Sequence, residues 1–270
     1  MSELHDPLVE QLYALLEEDD RVLAAWLEGS LARDEDDDYS DIDIWVCLKN
    51  NHFEEFIKER DKFATQMGGV ISILYPMEID HEEAVDSFRI ILDDQPATCT
   101  IDVNVQKRSR HFTFTENSVA EECLVLFDKA DILKKQPLDR DEVEEYARDV
   151  FTDMTTRFWH RVPKVSAHIA RNDMLEAIAV YRECVEMYII LQRIVHSPEK
   201  LDWTWKDIEY DLPKEEVKAL YSLLPAEKQK ALQGQLKKLA KRFAKFSKAL
   251  GGRMDMNVNE AVVEYVMDSL

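Results

Sequence analysis

The chain has 270 residues, 46% of them hydrophobic, enough for one large or two modest domains with real cores. It carries 55 acidic residues against 34 basic ones, a formal charge of −21 that repels a nucleic-acid backbone and favours a cationic partner. Cys47, Cys99, Cys123 and Cys184 show no paired spacing, so neither a disulfide frame nor a zinc site is expected and the compartment reads as reducing.

From the start, MSELHDPLVEQL has neither a basic leader nor an apolar segment, and no run approaches the roughly 18–20 apolar residues of a membrane span. A soluble, cytoplasmic protein is expected. Leu8 to Leu16 has helical spacing, and Arg21 to Leu27 is a short β-capable run that stops at Gly29-Ser30. An acidic loop, Asp34 to Asp38, follows and reads as solvated. Ile42 to Leu48 alternates and is rich in β-branched and aromatic residues, so it reads as a strand. A helix is predicted over 52–65, a strand over Val70 to Tyr75 ended by Pro76, and further strands at 88–92, 98–105 and 124–127.

After Pro137 the texture changes. Asp139 with Glu142 predicts a capping box, and helical periods run through 141–160, 173–196, 213–223, 226–250 and 259–267. Breaks are predicted at Pro163, Pro198, Pro213, Pro225 and Gly251-Gly252. Charge changes along with texture: residues 1–150 hold 38 acids against 15 bases, and residues 151–270 hold 17 against 19. The expected fold class is α+β: a catalytic unit with a mixed sheet and flanking helices over 1–137, then an all-α bundle over 138–270.

The stretch that carries chemistry is WLEGSLARDEDDDYSDIDIWV, residues 26–46. With so many acids, an acid-x-acid triplet means little by itself; context lifts Asp41 and Asp43. A strand ends at Gly29-Ser30, ten residues intervene, and the pair then opens an apolar strand. Residues i and i+2 of a strand share a face, so the two carboxylates point together while Ile42 and Ile44 turn to the core. Such a pair is costly without a cation between its members, and oxygen ligands of this kind suit Mg²⁺. Gly29 permits close backbone approach, and Ser30 can grip phosphates. Asp102, in TIDVNV, is again flanked by apolar β-formers and should face the same way from a neighbouring strand. It is expected to ligate a second metal, to accept a proton from the attacking hydroxyl, or both.

Leu27-Glu28-Gly29-Ser30, Asp41-Ile42-Asp43-Ile44 and Ile101-Asp102-Val103 together resemble the nucleotidyltransferase superfamily of the polymerase-beta type. Within it the whole chain resembles the bacterial antibiotic adenylyltransferases, especially the aminoglycoside (streptomycin) 6-adenylyltransferase group. FWHRVPKVSAHIARNDMLEA (158–177) and FAKFSKALGGRMDM (243–256) resemble that group's Phe-Trp helix and closing helix. The resemblance implies transfer of AMP from ATP, or another NTP, with two Mg²⁺ ions, onto a hydroxyl of a small cationic acceptor such as an aminoglycoside. Lincosamides are the alternative acceptor class. A template-independent polymerase would share the site but needs a basic track, and an antitoxin-like binding protein would lack a carboxylate. Lys164 and Arg171, after the Phe-Trp helix, are candidates to reach the triphosphate. Trp159, Trp203, Trp205 and the basic stripe from Lys237 to Lys248 read as packing, and the histidines, including His5, His81 and His111, receive no role.

Overall fold

A computed structural model describes residues 4–75, 84–110, 114–116, 118 and 122–270; Pro76, His81 and His111 lie outside this set. The fold is α+β, and the chain divides into two compact units, 1–138 and 139–270.

The first unit runs α1 (Asp6–Glu18), β1 (Val22–Glu28), α2 (Gly29–Ala32), β2 (Ile42–Leu48), α3 (Phe53–Lys58), α4 (Arg60–Met67), β3 (Val70–Leu74), β4 (Val85–Leu92), β5 (Ile101–Lys107), β6 (Phe114–Glu116), β7 (Leu124–Asp128) and β8 (Lys135–Pro137). Among the described residues, six strands make one sheet in the order β3-β4-β5-β2-β1-β7, with β2 and β5 parallel and the other neighbours antiparallel. Period-two side chains give the sheet two faces. One carries Leu27, Ile42, Ile44, Val46, Ile101, Val103, Val105, Phe88 and Ile90 into a core shared with Leu12 and Leu16 of α1, Phe53 and Phe56 of α3 and Phe63 of α4. The other packs Trp26 and Cys47 with Phe114, Cys123 and Ile132.

The helix expected over 52–65 is two helices bent at Glu59. The bend buries both Phe56 and Phe63, whose rings lie 5.7 Å apart, while Glu59 accepts from Arg21 Nη1 at 2.9 Å. β6 and β8 pair in parallel as a separate ribbon; three residues apiece are too few to show a period.

The second unit is helical: α5 (Arg140–Ala170), α6 (Met174–His196), α7 (Ile208–Asp211), α8 (Lys214–Tyr221), α9 (Gln229–Met254) and α10 (Glu260–Asp268). Asp139 caps α5 by accepting from the amides of Asp141 and Glu142 at 3.0 and 3.2 Å. Two expected breaks do not occur. α5 continues through Pro163, which costs about 3 kcal/mol in a helix interior. The offset is a single buried stripe on both sides of it, Phe158, Trp159, Val162, Val165 and Ile169, with Pro163 itself exposed. α9 also runs past Gly251-Gly252. A Cβ on Gly251 would lie 2.7 Å from the Met256 carbonyl, so glycine here admits the turn that closes the helix, which ends at Asp255 (φ 54°) with the Met256 amide donating back to the Gly251 carbonyl. Leu236, Leu239, Phe243 and Leu250 of α9 are buried, and Phe243 stacks on Phe158 at 3.6 Å. The fully buried Arg193 ties the segment after α6, donating to the Thr204 carbonyl, Ser197 and Asp211. All four cysteines are buried free thiols, and burial pushes Cys47 up to about 11 and Cys184 to about 12.

Candidate active site

The strand register assembles the site. Glu28 pairs with Asp43 across β1 and β2, Asp43 with Asp102 across β2 and β5, and Asp102 with Arg89 across β5 and β4. Directly paired residues share a face, so these four form one row across four strands. The face is the one that carries Trp26 and Trp45, two residues further along, whose rings stack 5.9 Å apart. Trp26 Nε1 donates to Glu28 Oε1 at 2.9 Å.

Asp41, just before β2, completes the cluster. One oxygen from each of Asp41, Asp43 and Asp102 lies within 4.8 Å of the others, and all three residues are half-buried. Carboxylates at that spacing repel strongly at reduced dielectric. A positive charge reaches the cluster from Arg89, whose Nε and Nη2 donate to Asp102 Oδ1 and Oδ2. Hydrogen bonding to Asp102 raises the guanidinium above its ordinary range against the opposing pull of burial, and the charges of Asp102, Asp41 and Asp43 add to the rise. Hard oxygen donors, clustered and reachable by substrate, fit a divalent cation that keeps waters and takes other ligands from phosphates.

Gly29 leads from β1 into α2 with φ 71°, and a Cβ there would lie 2.6 Å from Asp43 Oδ2. The backbone thus lies against the carboxylate, as only glycine allows. Ser30 follows, its carbonyl accepting from the amides of Arg33 and Glu35. The acidic loop is not wholly solvated as expected. The Asp36 side chain is buried and accepts from His5 Nδ1 at 3.1 Å, while His5 Nε2 lies 3.0 Å from the Ser40 carbonyl. His5, given no role from sequence, therefore pins the loop that leads into Asp41.

Lys164 and Arg171 belong to the second unit. Lys164 is exposed on α5 and lines a cleft of about 310 Å³ with Thr156, Arg157, His160 and Arg161. Arg171 caps the end of α5, exposed to solvent.

A family model for streptomycin adenylyltransferase matches residues 4–269. The chain belongs to that family. It is therefore an adenylyltransferase, an enzyme that takes a nucleoside triphosphate as substrate. A solved structure, an aminoglycoside 6-adenyltransferase from Bacillus subtilis, is 20% identical and matches over 97% of this chain and 96% of its own, with a TM-score of 0.43. No curated protein matches the sequence significantly. Among the described residues no helix of the adenylyltransferase is long and apolar enough to cross a membrane.

Sequence reasoning passed over two members of the row. Arg89 is a lone cation inside the apolar run Phe88 to Leu92, and Glu28 is an acid at the end of one, directly before Gly29. A charge in an otherwise buried strand was the available signal for both.

Proposed function

We propose that this adenylyltransferase moves AMP from ATP onto a hydroxyl of an aminoglycoside such as streptomycin, releasing pyrophosphate, with Mg²⁺ held by Asp41, Asp43 and Asp102. The observation that carries the reading is the convergence of those three carboxylates within 4.8 Å beside a glycine whose backbone abuts one of them. When bound, the divalent cations neutralise charge on the phosphates and polarise the α-phosphoryl group.

The chain's own groups supply the rest. The backbone at Gly29 and the Ser30 hydroxyl receive the terminal phosphates. An Asp102 oxygen accepts the proton of the acceptor hydroxyl as the new oxygen–phosphorus bond forms and the bond to the pyrophosphate oxygen breaks. Catalysis of this kind is mostly positioning and electrostatics. Residues 1–137 act as the nucleotidyltransferase unit and 138–270 as the acceptor-binding unit. Lys164 and Arg171 are assigned to the triphosphate.

The acceptor is read from charge. Five consecutive acids, Asp34 to Asp38, lie between Ser30 and Asp41, in a chain of net charge −21. This field favours a polycation, speeds its arrival at low salt and disfavours nucleic acid.

Pyrophosphate release is the test, measured with MgATP and a panel of aminoglycosides and lincosamides. Asp41→Asn and Asp43→Asn should keep their circular dichroism and lose at least about 100-fold in turnover. Full turnover in either variant ends the metal-ligand assignment, and turnover with lincosamides alone replaces the acceptor.

A further inference from the structure

We propose that Arg89 is a gate on the metal site: its guanidinium occupies Asp102 as a stand-in cation and yields that carboxylate when the phosphates of the nucleotide take the guanidinium over. The inference rests on the proposed role of Asp102 as a metal ligand and extends it to the order in which ligands bind.

Three observations carry it. The contact is a fork on a fork, two nitrogens of Arg89 on both oxygens of Asp102, from a directly paired position on the adjacent strand. Such pairing uses two of the guanidinium's N–H donors in a planar fork that a lysine cannot reproduce. Second, the charges balance in a particular way. Asp41, Asp43 and Asp102 bring three carboxylates together, and the Arg89 guanidinium is already paired with one of them. A divalent cation drawn to Asp102 therefore competes with an ion pair already formed. Third, the two partners differ in freedom: the Arg89 side chain is 46% exposed and Asp102 only 18%. The carboxylate is fixed on the sheet while the long arginine stem can turn outward.

A guanidinium binds phosphate with the same planar fork that it offers a carboxylate. An incoming triphosphate thus presents an equivalent partner for Arg89 at the moment it delivers its own cation. The exchange leaves both Asp102 oxygens open, one for a cation and one for the hydroxyl proton. Free cation without nucleotide meets the closed gate. The enzyme so arranged takes metal and nucleotide together, and Arg89 acts as a positioning residue through Asp102.

Manganese binding tests this without turnover. Free Mn²⁺ is followed by electron paramagnetic resonance in the full-length protein, alone and with a non-hydrolysable ATP analogue. Arg89→Gln should bind Mn²⁺ alone at least tenfold more tightly than the wild type and show little further tightening with the analogue. The wild type should tighten strongly only when the analogue is present. Arg89→Lys, which keeps the charge and loses the fork, should fall between them. The gain should vanish when Arg89→Gln is made on Asp102→Asn, because the effect runs through that carboxylate; a gain that persists there is through-space charge alone and overturns the gate. Equal affinity of Arg89→Gln and wild type without nucleotide overturns it as well. If instead Asp102→Asn by itself leaves Mn²⁺ binding with the analogue unchanged, the ligand role of Asp102 fails, and the gate with it.

Discussion

Gly29→Ala is the most economical probe of the site, because it adds one methyl group and alters no charge. The new Cβ would sit 2.6 Å from Asp43 Oδ2, where ordinary contact begins at 3.4 Å. Either the carboxylate or the turn must give by roughly 0.8 Å, and a reacting group misplaced by about 1 Å can cost about 100-fold in rate. Alanine at φ 71° adds backbone strain of about 1–2 kcal/mol. The expected variant is folded, a few degrees less stable on heating, and about 100-fold slower in pyrophosphate release, with a higher Mg²⁺ requirement. Gly234→Ala is the matched control: it lies inside α9 with nothing within 4 Å, and should stabilise by about 1 kcal/mol without touching turnover. Wild-type turnover and Mg²⁺ dependence in Gly29→Ala would refute the reasoning, since the Asp43 carboxylate would then not need its present position.

Two further outcomes follow from the helical unit. Burial pushes the Asp211 carboxyl up, but hydrogen bonds and charge from Lys200 and Arg193 outweigh it and hold the group below its ordinary value. With the folded value below the unfolded one, its contribution is present above about pH 4 and fades as pH falls through the folded value. Asp211→Ala should cost about 3 kcal/mol or more at neutral pH by leaving Arg193 buried without its carboxylate, and should flatten the acid limb of urea-measured stability. Pro163→Ala should leave the helix content of α5 unchanged and raise stability by up to about 3 kcal/mol, read from urea midpoints; a loss of stability would mean that the proline shapes the helix rather than interrupting it.

Much of the first unit was legible because its strands alternate. Ile42, Ile44 and Val46 announce one buried face, and Asp43 between them announces the other. The two failures in the helical unit share a cause. Pro163 and Gly251-Gly252 are local signals of a break, and each was overridden by contacts distant in sequence: the stripe of α5 against α6 and α9, and the approach of Phe151 of α5 to Gly251. His5 was illegible for a similar reason. Its partners, Asp36 and Ser40, are 31 and 35 residues away, and no spacing rule links them.

The row through Glu28, Asp43, Asp102 and Arg89 needed register, which no single segment contains. β2 and β5 are parallel and far apart in sequence, yet Asp43 meets Asp102 rather than a neighbour. What sets that meeting is the apolar half of each strand. Ile42, Ile44 and Val46 must share a face with Ile101, Val103 and Val105, and a slip of one residue would turn one strand's aliphatic side chains outward and its aspartate into the core. Burying a carboxylate there without a partner costs several kcal/mol, so the slipped pairing is excluded by the same residues that stabilise the correct one. The isoleucines and valines between the acids therefore do as much to build the cluster as the aspartates do. A charge-preserving survey of the strands would miss this, because the determinants of the acidic site are the side chains that point away from it.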